Sequence, residues 1–122
     1  LNNSESTKVW VVGFSFGAFI ALNLLMRRPE IQNFIAISPP ADRYDFSFLA
    51  PCPVSGMIIQ GDNDDIVNET DVALFANKLD AQRSISIKYS KIKGADHFFT
   101  EKLDIINNTI KKYVSKTLVS NI

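Results

Sequence analysis

Two rhythms of apolar residues alternate along this chain, one continuous and one helical. Lys8 to Phe14 (Lys-Val-Trp-Val-Val-Gly-Phe) is a β-branched and aromatic run without a polar face. That pattern predicts a strand buried on both sides, as in a parallel sheet. Phe16 to Arg28 follows as a helix, apolar nearly all round through Phe19, Ile20, Leu22, Leu24, Leu25 and Met26, and so expected to be deeply buried. Arg27 and Arg28 would place positive charge at its end, and Pro29 would stop it. Trp10, Phe14 and Phe19 read as core residues.

Asn33–Ser38 predicts a second strand closed by Pro39 and Pro40, and Val54–Gln60 a third. The connection between them is too short for a large lid domain. Asn68 can cap a helix whose Val72, Phe75, Ala76 and Leu79 share one face, with Glu69 and Asp71 in its first turn. Ile85–Ile92 alternates as a fourth strand, and Leu103, Ile106, Ile110, Tyr113 and Val114 mark a last amphipathic helix, with a frayed tail expected from Val119. The order β-α-β-β-α-β-α predicts one α/β domain over residues 1–122, a mainly parallel sheet flanked by helices.

Composition narrows the partners. The 122 residues carry 13 basic and 13 acidic side chains, so nothing suggests a nucleic-acid or acidic-lipid partner. No apolar stretch approaches the roughly 20 residues that span a bilayer, and the polar start, Leu1 to Ser6, lacks the regions of a signal peptide. A single cysteine, Cys52, forms no internal disulfide, and the cytoplasm is the expected compartment. Between two prolines and away from any base, Cys52 reads as a buried structural thiol. One histidine, His97, is too few for a zinc site built from several His or Cys residues, and no metal or cofactor is expected.

Gly13-Phe14-Ser15-Phe16-Gly17 joins the first strand to the first helix, the context of a nucleophile elbow. A serine hydroxyl needs a base within hydrogen-bond reach, and the base needs a carboxylate to fix its tautomer. His97 is the only imidazole. The loop after the third strand, Gly61-Asp62-Asn63-Asp64-Asp65-Ile66-Val67, offers three carboxylates. It does not fit an EF-hand, because Val67 stands at the sixth position and Ala73 at the twelfth. Taken singly, these features read as a turn serine, a solvated acidic loop and a surface histidine. Their order, each after a predicted strand, argues for more.

With Gly94-Ala95-Asp96-His97-Phe98-Phe99 as the third motif, the chain resembles the α/β-hydrolase superfamily. The likeness is to its small lidless esterases and dienelactone hydrolases. The resemblance implies Ser15 as nucleophile, Asp64 as acid and His97 as general base, with Asp62 shaping its loop and Asp65 at a variable position. It also implies Gly13 and Gly17 as elbow residues and the Phe16 N–H as an oxyanion donor. The expected substrate is a small ester-like molecule, cleaved without a cofactor. Such enzymes carry further strands before the elbow, so the chain reads as the C-terminal, triad-bearing half of the fold. Its first strand would then have an open edge, to be closed by a second copy of the chain or by a separate N-terminal piece. The alternative is a catalytically inactive remnant serving as an interaction module.

Overall fold

The computed structural model describes residues 9–120. Four strands, β1 (Val9–Phe14), β2 (Ile31–Ile37), β3 (Gly56–Gly61) and β4 (Ile87–Ile92), form one sheet in the order β1-β2-β3-β4. Every neighbouring pair is parallel. Helix α1 (Phe16–Leu25) links β1 to β2, α2 (Glu69–Asp80) links β3 to β4, and α3 (Leu103–Ser120) follows β4. Between β2 and β3 lies only a 3-10 turn, Ser47–Leu49.

Side chains of a strand alternate between faces, and here each face has its own core. Phe34, Ala36 and Ile58 pack with Leu22 and Leu25 of α1 and Val72, Phe75 and Leu79 of α2. Ile35, Met57 and Ile59 pack on the opposite face with Phe99 and Ile106, joined by Trp10, Ile110, Tyr113 and Val114. Every residue of β3 is buried, as expected of a central parallel strand. The α2 reading holds in detail: Asn68 accepts from the Thr70 N–H at 2.9 Å, and the four predicted apolar positions are all buried. The Tyr89 hydroxyl ties β4 to this helix by donating to Glu69 Oε2 at 2.7 Å.

Several expectations shift. Within β1 only Gly13 is buried, while Val12 is 57% and Phe14 41% exposed, because among the described residues β1 has a strand on one side only. Lys8, the predicted start of that strand, lies outside the described residues. Helix α1 buries Ala18, Ala21, Leu22 and Leu25 but leaves Phe16, Ile20 and Leu24 exposed. It ends at Leu25, three residues before the expected boundary. The N–H groups of Arg27 and Arg28 turn back to the Leu24 carbonyl, so neither cation sits in the last helical turn. Arg28 precedes Pro29, a position that disfavours helical backbone, and pairs instead with Glu30 at 2.7 Å. Strand β2 begins at Ile31 and stops at Ile37, since Ser38 turns to φ 51°. Helix α3 runs through Val119 to Ser120 instead of fraying there.

Candidate active site

Ser15 occupies the single-residue corner between β1 and α1, with φ 56°. A non-glycine residue in this left-handed region carries about 1–3 kcal/mol of strain and needs support from around it. The Ser15 N–H donates to the Ile37 carbonyl at 2.8 Å, and its own carbonyl accepts from the Ala18 N–H at 2.8 Å. The corner is tight enough that a Cβ on Gly13 would lie 2.3 Å from the Gly17 oxygen. Gly17 is under no such constraint, since a Cβ there would meet nothing within 4 Å.

Asp64 follows β3 and its side chain is fully buried. Its Oδ1 accepts from the backbone N–H groups of Ile66 and Val67, both at 2.8 Å. Its Oδ2 accepts from Gln60 Nε2 at 2.9 Å and faces His97 Nδ1 at 2.8 Å. Burial, the largest single influence, pushes the carboxyl pKa up. The hydrogen bonds from Val67, His97, Ile66 and Gln60 together outweigh it and hold the group below its ordinary range. A carboxylate only accepts, so Nδ1 carries the imidazole proton. That leaves the Nε2 lone pair, 2.9 Å from Ser15 Oγ, to accept a hydrogen bond from the hydroxyl.

The two loops that deliver Asp64 and His97 are fastened to each other. Asp62 Oδ1 accepts from the Gly94 N–H at 2.7 Å, and the Asn63 N–H donates to the Ala95 carbonyl at 3.0 Å. Gly61 has no room for a side chain, because a Cβ would lie 2.3 Å from the Ala95 oxygen. Asp96 organises the turn after His97 by accepting from Phe98 and Thr100 N–H groups and from the Thr100 hydroxyl. Thus Asp62 shapes the loop, Asp65 is exposed, and of the three carboxylates Asp64 reaches the imidazole.

Two residues at this site had not been singled out from the sequence. Gln60 is fully buried, donates to Asp64, and leaves its Oε1 without a hydrogen-bond partner. Its signal was a lone polar side chain ending the apolar run Met57-Ile58-Ile59. Ser38, also fully buried, donates from Oγ to the His97 carbonyl at 3.2 Å. Phe14, expected in the core, instead has its ring 5.2 Å from His97 and 5.9 Å from Phe98. Phe98 stands perpendicular to the imidazole at 5.0 Å and is 61% exposed, whereas Phe99 is buried. Phe19 packs in an aromatic cluster with Tyr44, Phe46 and Phe48. Two surface recesses of about 700 Å³ each lie elsewhere and include none of Ser15, Asp64 and His97.

A strand, a strained serine corner, a helix and two downstream loops thus converge on one Ser-His-Asp constellation. The sequence profile of the dienelactone hydrolase family matches residues 1–118. The chain belongs to the dienelactone hydrolase family. It is 52% identical over 124 residues to an uncharacterized protein of Rickettsia prowazekii (strain Madrid E), covering 98% of this chain and 52% of that protein. Among solved structures it is similar to a protein of unknown function from Agrobacterium tumefaciens assigned to the α/β hydrolases. That match has 46% identity and TM-score 0.91, and covers 95% of this chain and 53% of the other. A lidless α/β serine hydrolase of Xanthomonas campestris matches with 32% identity and TM-score 0.79, covering 92% and 49%. This dienelactone hydrolase family member therefore spans about half the length of these relatives and has the α/β-hydrolase fold.

Among its described residues no three His, Cys, Asp or Glu side chains are grouped to hold a metal ion, and no helix is long and apolar enough to cross a membrane. Cys52 is buried, with its thiol directed to the Val54 carbonyl at 3.3 Å, and burial pushes its pKa up.

Proposed function

We propose that this chain carries the catalytic groups of a serine hydrolase acting on ester-like bonds. The observation that supports it most is the continuous relay from Ser15 Oγ through His97 to Asp64, with contacts of 2.9 and 2.8 Å. His97 Nε2 takes the hydroxyl proton as Ser15 Oγ attacks the ester carbonyl carbon, and Asp64 stabilises the imidazolium. The tetrahedral adduct collapses, the C–O bond to the leaving alcohol breaks, and His97 returns the proton to that oxygen. Water then attacks the acyl-Ser15 carbonyl with the same histidine as base, releasing a carboxylic acid and restoring the hydroxyl. The Phe16 N–H, in the first turn of α1 where backbone donors lack helical partners, serves the oxyanion. Gln60 positions Asp64, and Ser38 positions the His97 backbone.

The proposed chemistry uses these side chains, the Phe16 N–H and water. The lone cysteine supports the cytoplasm as the proposed compartment. A second reading, an inactive chain that acts only through interaction, draws on the exposed apolar surface of β1 and α1.

Intact-mass analysis after treatment with a fluorophosphonate probe decides between them. The expected result is one adduct per chain, lost in Ser15→Ala. No adduct on a chain that circular dichroism shows to be folded, tested with and without the relatives' remaining half, would sink the hydrolase reading.

A further inference from the structure

Helix α3 does not cover the whole face it packs on. Its Ile110, Tyr113 and Val114 lie with Ile35, Met57 and Ile59 of β2 and β3, and a recess opens where the same face continues onto β4. Lys88 and Ser90 of β4 stand in register with Met57 and Ile59, so their side chains share the α3 face of the sheet, while Tyr89 between them reaches Glu69 of α2. From the helix, Thr109, Lys112, Tyr113, Lys116 and Thr117 fall at three- and four-residue spacing along one stripe. Strand and stripe border a recess of about 700 Å³, within the range of roughly 300–1,000 Å³ for small-molecule sites. No residue of β1 or α1 lines it.

The lining carries charge of one sign. The chain has 13 basic and 13 acidic residues, yet the recess takes in Lys88, Lys112 and Lys116 and no Asp or Glu. Lys112 and Lys116 sit one helical turn apart, where like charges repel, and Lys88 adds a third from the strand. None of the three is in an ion pair among the described residues. Uncharged donors stand beside them. Asn33 is buried; its Oδ1 accepts from the Tyr113 hydroxyl at 2.9 Å, and its Nδ2 has no acceptor among the described residues. Ser90 Oγ donates only to the Met57 sulfur, at 3.8 Å, and Ser55 Oγ, which accepts from the Ser86 N–H at 2.8 Å, keeps its proton free to donate. Ile85 and Tyr113, both partly buried, supply apolar surface.

We propose that this recess binds a small organic molecule carrying a phosphoryl group, with the dianion among the three ammonium groups and the organic part on Ile85 and Tyr113. Lysine meets phosphate as a point charge, whereas a flat carboxylate is matched best by the fork of an arginine, and no arginine lines the recess. The recess lies near the amino ends of β2, β3 and β4, where Gln32, Ser55 and Ser86 line it, whereas Ser15, Asp64 and His97 follow the carboxyl ends of their strands. The ligand is therefore separate from any molecule attacked by Ser15, and the proposal does not rest on the hydrolase reading.

Phenyl phosphate is the probe, titrated into the nitrogen-15-labelled 122-residue chain at constant ionic strength. The amides of Thr109, Lys112, Lys116 and Thr117 should shift to saturation, with affinity at least about tenfold above that for inorganic phosphate, phenylacetate or phenol. Lys112→Gln combined with Lys116→Gln should weaken phenyl phosphate by at least about tenfold. Lys111→Gln, on the same helix but outside the recess, should leave its affinity unchanged. All of these lysines are exposed, so the variants should keep the circular dichroism of the parent. Cosedimentation with vesicles of phosphatidylcholine and phosphatidic acid separates a soluble phosphate from a lipid headgroup, and no vesicle binding is expected. Vesicle binding in place of saturable phenyl phosphate binding would overturn the proposal. So would shifts that fail to saturate, equal affinity for phenylacetate, or equal losses in Lys111→Gln and the double variant.

Discussion

Gln60→Met separates a residue that tunes the acid from one that merely fills space. Gln60 is fully buried and holds opposing terms in one side chain, whose Nε2 also donates to the Gly61 carbonyl at 3.2 Å. Its Nε2 donates to the Asp64 carboxylate at 2.9 Å, a bond to a charged group worth about 1.5–3 kcal/mol. Its Oε1 is buried without a partner, a deficit of about 1–3 kcal/mol. Methionine is similarly long and unbranched but makes none of these contacts, so at pH 7 the losses exceed the relief by only about 1 kcal/mol.

Acid pulls them apart. The Asp64 pKa is lowered in the folded chain, so the stability it contributes is present above the ordinary carboxylate value of about 4 and is lost as pH falls through the lowered folded value. The variant has less of that contribution to lose. Relative to the parent it should therefore gain stability between pH 7 and pH 3.5, by up to about 0.7 kcal/mol, because at pH 3.5 the unfolded carboxyl is only partly protonated. Urea unfolding of both chains at the two pH values measures the difference, and a carbon-13 titration of the Asp64 carboxyl should move upward. If the hydrolase reading holds, labelling of Ser15 should slow by up to about tenfold, the equivalent of 1.4 kcal/mol. A variant destabilised equally at both pH values, with the Asp64 titration unmoved, would reduce Gln60 to a packing residue and refute the reasoning.

The two elbow glycines should behave oppositely. Gly13→Ala drives a Cβ to 2.3 Å from one backbone atom and 2.7 Å from another, neither able to swing away, and should cost near the upper end of about 1–3 kcal/mol in thermal unfolding. Gly17→Ala adds a methyl to open space inside a helix and should stabilise by about 0.5–1 kcal/mol; a loss there would count against the corner geometry. Asp64→Asn should cut fluorophosphonate labelling by about 10⁴ through the wrong imidazole tautomer, and undiminished labelling would remove Asp64 from the triad. Burial raises the pKa of both Tyr89 and Tyr113, with the Glu69 carboxylate adding to the first. Their contribution to stability is thus present below about pH 10 and lost above it. Ultraviolet titration should show Tyr89 and Tyr113 holding their protons past that point while the chain is folded.

What the sequence made legible and what it hid divide along a physical line. Order and type of element were readable because each rests on local chemistry: the β-branched run before Ser15, the Asn68 cap, the apolar period of α2. The loops carrying Asp64 and His97 were readable because turn residues fix them, and the structure ties those loops together through Asp62 and Gly94. Element ends were less readable wherever a distant contact sets them. Strand β2 stops at Ile37 because Ser38 turns over to reach a carbonyl 59 residues away. Gln60 was hidden for a similar reason, since a polar residue in a buried strand declares only that it needs a partner. Hydrophobicity likewise states that a surface requires covering and is silent on what covers it. Val12, Ile20 and Leu24 were correctly read as apolar positions and incorrectly placed in a core. The same mismatch carries information, because burial expected from sequence where Val12, Ile20 and Leu24 stand exposed marks an apolar face shared by β1 and α1.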